Sequence, residues 1–252
     1  MKIKFLQLNI NKGQYFNNLI TFLKKENFDI LNLQEVAGGK ISHNQKNYFE
    51  EIKSALNYQG ILSPDAEIKN NPISYFANAI FLKKHLFIAS QEIIRLNNYP
   101  IEHSKNINIK WPNKISRHFI SLTLKQNLTI INAHLTRGET SADDKQKLAE
   151  GRILIDYVKK LKTPFILSGD FNVDPRSKLI KSLNNLAENL TVNNKITNTL
   201  NPRTHYLSKI LFPPGIACDY IFIDKSLKIK NFRLIDDLDV SDHFGLAIEV
   251  EI

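Results

Sequence analysis

The chain alternates between two hydrophobic periods. It opens with polar Lys2 and Lys4 set against apolar Ile3 and Phe5, and runs through Leu6 and Leu8 to Asn9. That two-residue period predicts a strand ending at Asn9-Ile10-Asn11. Phe16, Leu19, Ile20 and Leu23 then fall at i, i+3, i+4 and i+7, the spacing of one helix face. Lys24-Lys25 suit the negative end of that helix. Residues 28–36 read as a short, mostly apolar strand ending on Gln34-Glu35, and Phe49, Ile52 and Leu56 mark a second helix. From Tyr58 to about Thr136 the period is that of strands, over 58–62, 74–82, 87–95, 117–125 and 128–134. Lys125-Gln126-Asn127 joins the last two as a hairpin. Residues 97–114 are polar and basic and predict a long surface loop, with Trp111 packing it down.

The second half repeats the alternation. Residues 141–161 form the best helical pattern, with Ser141 and Asp144 as a capping box. Leu148, Leu154, Ile155, Val158 and Leu161 make its apolar stripe. Phe165 to Leu167 reads as a buried strand that stops at Ser168-Gly169 and delivers Asp170 and Asn172, before Asp174-Pro175 forces a turn. A short helix over 177–186 follows, then a polar, turn-rich stretch over 191–214. Strands over 216–224, 229–234 and 244–252 close the chain. With no repeat and no linker, this order predicts one domain over 1–252: two packed sheets with helices outside.

Composition narrows the class. Of 252 residues, 42% are hydrophobic and 23% charged, ordinary for a soluble globular protein. No run of about 18 apolar residues occurs, so no membrane span is expected. The first residues enter a strand directly, without the pattern of a signal peptide. A lone Cys218 in an apolar segment reads as a buried structural thiol in a reduced compartment, and a cytoplasmic location and a monomer are expected. The net charge of +9 favours an anionic partner, nucleic acid first, although the lysines are spread widely enough to suit a plain solvated surface.

The strand ends carry the chemistry. Asn9, Gln34-Glu35, Asn132-Ala133-His134 and Asp170-Phe171-Asn172 each finish a predicted strand. Asp219 lies inside an apolar run, and Ser241-Asp242-His243 precedes the last strand. Polar ends recurring at the same end of their strands imply a shared pocket. Asn9, Glu35 and Asp242 offer hard oxygen ligands, which suit Mg²⁺ or Mn²⁺ and not zinc. His134, His243 and Asn172 supply donors for an anionic substrate, and Asp219 is placed to hold the His243 imidazole in one tautomer. These parts match metal-assisted hydrolysis of a phosphate ester, with a carboxylate deprotonating the attacking water.

Leu33-Gln34-Glu35-Val36, Ala133-His134-Leu135, Ser168-Gly169-Asp170-Phe171-Asn172, Asp219-Tyr220-Ile221-Phe222 and Ser241-Asp242-His243 occur in this order. Together they resemble the endonuclease/exonuclease/phosphatase superfamily over residues 3–251. The resemblance implies a four-layer α/β/β/α sandwich of two packed mixed sheets and a divalent-metal phosphoesterase. It implies Asp170 as general base, Asn172 as a phosphate or water positioner, His134 as a phosphate contact, and His243, oriented by Asp219, as stabiliser of the pentacoordinate state. Asn9, Glu35 and Asp242 would be the metal site. Asn78 falls where many relatives carry a polar residue near the site. Arg117, opening a strand, is a candidate phosphate ligand, and His205 is either a substrate contact or a solvated loop residue. His43, His85, His103 and His118 are expected to lack a site role, Asp29 to be a turn residue, and Asp236, Asp237 and Asp239 to be a solvated acidic turn.

Three functions remain open on the sequence. The first is a phosphodiesterase acting on nucleic acid, most of all DNA. The second is the same chemistry on a lipid or small-molecule phosphate, for which Ile210-Leu211-Phe212-Pro213-Pro214 would be the apolar loop. The third is a non-catalytic binding module on the same fold.

Overall fold

In a computed structural model, which describes residues 1–103, 115–205, 208–212, 215–236 and 238–252, the strands build two mixed sheets. The first half contributes β1 (Lys2–Asn9), α1 (Phe16–Glu26), β2 (Ile30–Ala37), α2 (Tyr48–Leu56), β3 (Tyr58–Ile68), β4 (Asn71–Lys83), β5 (Ile88–Arg95) and β6 (Glu102–His103). Next come β7 (His118–Leu124), β8 (Leu128–His134), α3 (Lys145–Val158), β9 (Phe165–Asp170) and α4 (Lys178–Leu186). The chain closes with β10 (Glu188–Asn189), the short turns α5 (Leu190–Asn193) and α6 (Ser208–Leu211), then β11 (Asp219–Ile223), β12 (Lys228–Ile235) and β13 (Gly245–Glu251). One sheet has seven strands in the order β12-β13-β1-β2-β4-β3-β6, and the other has six in the order β10-β11-β9-β8-β7-β5.

The pleat assigns each side chain its layer. On β1, Leu6 and Leu8 face outward and pack with Leu19 and Leu23 of α1 and Ile52 of α2. Ile3 and Phe5 face inward and meet Ile120, Ile130, Ile166 and Ile221 of the other sheet. On the far side, Leu154 and Val158 of α3 and Leu183 of α4 cover Ile131, Leu167 and Phe222. The result is the expected helix–sheet–sheet–helix order. Each fully buried Leu, Ile or Phe contributes about 1.5–3 kcal/mol relative to its exposed state.

The inward face changes character along each strand. Ile3 and Phe5 are followed at the same pleat phase by Gln7 and Asn9, Ile30 by Asn32 and Gln34, Ile130 by Asn132 and His134, and Ile166 by Ser168 and Asp170. The gap between the sheets is therefore stratified into an apolar layer, an amide layer and then the strand ends. The amides are buried and bonded both within one sheet and across the gap to the other. Gln7 Nε2 donates to Gln34 Oε1 and to Asp219 Oδ1, both at 3.0 Å. Gln34 Nε2 donates to Asn132 Oδ1 at 2.7 Å, and Asn32 Nδ2 donates to Ser168 Oγ at 3.0 Å.

Several sequence expectations shift. The helix expected over 141–161 spans 145–158, because Asp144 and not Ser141 caps it, accepting from Lys147 N at 2.8 Å. Leu148 is exposed, and the buried face of α3 includes Lys147 and Glu150. Glu150 accepts hydrogen bonds from Asn97 Nδ2, Thr136 N, Thr136 Oγ1 and Gln146 Nε2, so a charged group sits where an apolar stripe was expected. β3 runs to Ile68 through Pro64, where its register with β4 shifts in a bulge. Asp29 accepts from Lys4 N and pairs with Lys83, and Asp239 pairs with Arg203. Trp111, Asp237 and Pro213-Pro214 lie outside the described residues.

Candidate active site

Register brings the strand ends together. β1 and β2 run parallel with Asn9 opposite Gln34, and β8 and β9 run parallel with His134 opposite Asp170. β11 runs antiparallel to β9 and sets Asp219 opposite Asp170. His134, Asp170 and Asp219 thus form one row across the six-stranded sheet. That row requires Gly169, whose φ of +154° admits glycine and where a Cβ would collide with the Ala133 carbonyl. Glu35 follows Gln34, so the pleat alone would point it to the opposite face. A register shift between Leu33 and Val36 and a φ of 54° at Glu35 turn it back. Its Oε1 accepts from Asn9 Nδ2 at 3.3 Å, and the same amide donates to Asp170 Oδ2 at 3.2 Å. Asp242 and His243 are held by a bridge between Leu200 and His243 and by Asn201 N donating to the Asp242 carbonyl. Ser241 Oγ fastens this segment to the Asn9 carbonyl.

Asp170 is the centre of the pocket. His134 Nε2 lies 3.7 Å from its Oδ2 and His243 Nε2 lies 3.9 Å from the same atom. Burial, reinforced by the Asp219 charge, pushes the Asp170 carboxyl up to about 7, against His243 and the bonds from Asn172 N and Asn9. The two histidines are tuned in opposite directions. Burial alone would lower His243, but the Asp219 carboxylate, 2.8 Å from its Nδ1, holds it well above the ordinary imidazole value. Asp219 is itself fixed by Thr199 Oγ1 at 2.6 Å and by Gln7. Burial and then the Arg117 charge hold His134 well below that value.

The remaining candidates divide. Asn172, at a φ of 53°, donates from Nδ2 to the Leu135 carbonyl at 3.0 Å and from its backbone to Asp170 Oδ1 at 3.0 Å, so it steadies the central carboxylate. His205 stands in the pocket, its ring 6.1 Å from that of His243, and is not a solvated loop residue. Arg117 is 1% exposed and bonded to Asp65 and His134, which withdraws the expectation of a direct phosphate contact. Asn78 is fully buried beside it, donating to Asp65 and to the His118 carbonyl, so it belongs to the wall behind the pocket. His118, expected to have no site role, contacts Asp65 in this same wall.

Sequence reading missed Arg137. It follows His134 by three residues; burial lowers its pKa, and the neighbouring Asp170, Glu35 and Asp242 charges act in the opposite sense. The one signal for it was its position just past a strand that ends in the pocket.

The donor set fits a hard divalent cation. Burial raises the Asp242 carboxyl, and the neighbouring Glu35 charge raises it further. Two carboxylates that repel one another beside a carboxamide make a place where a cation lowers the energy. His205, Asp242 and His243 also bring ligand atoms within 4.8 Å of one another.

Two mixed sheets between helices, with acids and histidines gathered at one end of the strands, define a phosphoesterase fold. Residues 6–243 match the Endonuclease/Exonuclease/phosphatase family, and the chain belongs to it. Members of this family are hydrolases acting on phosphoester bonds. No curated protein matches the chain. An endonuclease/exonuclease/phosphatase from Bacteroides vulgatus superposes with a TM-score of 0.70 at 17% identity, over 100% of this chain and 99% of that one. A mannosyl-6-phosphatase from Bacteroides thetaiotaomicron gives 0.70 at 18%, over 99% and 100%. A humanized TDP2 from D. rerio gives 0.69 at 16%, over 100% and 99%. Among the described residues no helix is long and apolar enough to cross a membrane.

Proposed function

We propose that the chain is a divalent-metal-dependent phosphodiesterase that hydrolyses phosphate esters in nucleic acid, DNA in the first place. The observation that carries this reading is Asp170, a buried carboxylate pushed up to about 7, with His134 Nε2 and His243 Nε2 at 3.7 and 3.9 Å from its Oδ2 and their pKa values driven in opposite directions. A base with that value takes a proton from water and stays deprotonated often enough at neutral pH to do so.

Asn9, Glu35 and Asp242 would hold the cation, Mg²⁺ or Mn²⁺, which supplies Lewis acidity to the phosphoryl group. Asp170 orients the attacking water and accepts its proton at Oδ2. Asn172 occupies Oδ1 through its backbone N–H, and Oδ2, which accepts from Asn9 Nδ2, keeps a second lone pair for that task. His243, held as imidazolium by Asp219, presents Nε2–H to the developing charge on the phosphoryl oxygens and can give that proton to the leaving oxygen. His134 presents its Nε2 to the same group from the opposite side. His205 borders the pocket on the Asp242 side and contacts the substrate there.

The net charge of +9 supports a polyanionic substrate, and the likeness to TDP2 agrees with it. A second reading, a small-molecule phosphate ester, is favoured by the equal likeness to a mannosyl-6-phosphatase. Ile210, 72% exposed, is an apolar side chain suited to a lipid substrate. A single panel decides among them: plasmid, abasic DNA, 5′-tyrosyl DNA, RNA, sugar phosphates, inositol phosphates and sphingomyelin, each with Mg²⁺ and Mn²⁺. Hydrolysis of nucleic acid that weakens steeply with added salt is the expected result. Turnover confined to uncharged-surface or sugar substrates replaces the first reading with the second. No turnover on any substrate defeats the enzyme reading.

A further inference from the structure

Behind His134 lies a buried ionic cluster that the reaction outlined above does not use. Arg117 donates from one guanidinium nitrogen to Asp65 Oδ2 at 3.1 Å and to His134 Nδ1 at 3.1 Å. Asp65 is fully buried and also accepts from Asn78 Nδ2, from His118 N and from His118 Nδ1. Phe76 closes the cluster, with its ring centroid 5.7 Å from the guanidinium and 6.1 Å from the His134 ring.

A guanidinium has five N–H donors, no acceptor, and does not deprotonate in proteins. The His134 Nδ1 it faces must therefore accept, and an accepting Nδ1 carries no proton. The proton of the ring then sits on Nε2, the nitrogen 3.7 Å from Asp170 in the pocket. A second proton on Nδ1 would point at the guanidinium N–H, so the imidazolium is excluded as well. A carboxylate in the place of Arg117 would reverse both nitrogens, as Asp219 does at Nδ1 of His243. It would leave a lone pair on Nε2, aimed at Asp170 and at any anionic substrate.

We propose that Arg117 is a positioning residue that locks His134 in the neutral Nε2–H tautomer, making His134 a fixed hydrogen-bond donor to a phosphoryl oxygen and never a base. The identity of the accepting oxygen rests on the phosphoesterase reading; the tautomer does not. Asp65 keeps the arginine in place, and the cluster divides the pocket between one histidine that carries charge and one that carries only a dipole. Buried ion pairs are seldom retained for stability, since desolvation offsets most of their attraction, and fixing one proton arrangement is a use consistent with their retention.

The test reads the tautomer directly. Two-bond ¹H–¹⁵N spectra of the ¹⁵N-labelled full chain at pH 7, without substrate, are assigned for His134 by the signals lost in His134→Gln. The expected pattern is a pyridine-type Nδ1 and a pyrrole-type Nε2; a protonated Nδ1 in the wild type overturns the proposal. Arg117→Met is expected to release the tautomer and to lower kcat about ten- to hundred-fold with KM little changed, the scale of losing a residue that orients a histidine. Arg117→Lys, which keeps a cationic donor, is expected to restore the pattern. An unchanged pattern in Arg117→Met refutes the role of Arg117. If that variant does not fold, Asp65→Asn combined with Arg117→Met removes the orphaned charge, and the wild-type spectrum stands as the test on its own. A wild type that has the pattern but hydrolyses no phosphoester defeats the proposed function and leaves the tautomer assignment intact.

Discussion

Asp170→Asn separates the chemistry of the pocket from its cost. In the metal-free protein, burial and Asp219 raise the carboxyl from 3.8 to about 7. The folded state therefore holds that proton more tightly than the unfolded chain. Its contribution to stability is whole below pH 3.8 and is lost as pH rises to about 7. At about 1.4 kcal/mol for each of roughly three pH units, the ionised carboxylate costs about 4 kcal/mol at pH 8. Asparagine never ionises and keeps an acceptor for Asn172 N. With an amide NH2 in the place of Oδ2 it loses the bond from Asn9 and sets two donors against each other, about 1.5–2 kcal/mol. The variant should then be more stable than wild type by about 2 kcal/mol at pH 8, which is about 4–8 °C in Tm for a chain of this size. At pH 5 only about 1.5 kcal/mol of the cost has accrued, so the two proteins should melt together. Thermal unfolding in EDTA at both pH values, beside a turnover assay, measures this. A variant that is inactive and stabilised at pH 8 fits the reasoning. A variant equally destabilised at both pH values would refute the buried-base assignment, and one with normal turnover would refute its role.

Other perturbations read other parts of the site. Glu35→Gln should cut Mn²⁺ affinity at least tenfold in calorimetry while leaving the Tm of the metal-free protein within a few degrees; unchanged affinity removes Glu35 from the cation site. Asp219→Asn takes away the charge that holds His243 protonated. Because that pKa is raised, the active imidazolium is lost as pH climbs, so the alkaline limb of the pH–rate profile should move to lower pH, and a fixed limb would assign it to another group. Gly169→Ala forces a Cβ into the Ala133 carbonyl and should destabilise by about 3 kcal/mol or more in urea unfolding, or prevent folding; a neutral effect would contradict the strand spacing.

What sequence alone made legible follows from the pleat. Asn9, His134 and Asp170 each sit an even number of residues from an apolar inward residue on their own strand, so period and strand end together pointed them to one pocket. Glu35 does not obey that count, and its place depends on a bulge that leaves no mark in hydrophobicity. The wall behind His134 was illegible for a different reason. Pro64-Asp65 carries turn propensity, and only pairing with β4 extends β3 through it. Lys147 and Glu150 broke the apolar stripe of α3 because their partners, Thr140, Ala142, Thr136 and Asn97, lie on other segments. β6 and β10, two residues each, are too short to show a period.

The amide layer between the sheets has a consequence for biogenesis. Gln7, Asn32 and Gln34 belong to one sheet, and Asn132, Ser168 and Asp219 to the other, and their bonds close only when both halves dock in a single register. A slip by one residue would send every one of these groups to the wrong face. Asp170 on one sheet and Asn9 and Glu35 on the other thus reach one another only when the two sheets dock. On the proposed mechanism a nascent or partly melted chain holds the acids and histidines without the geometry that hydrolysis needs, so activity would return only with sheet docking.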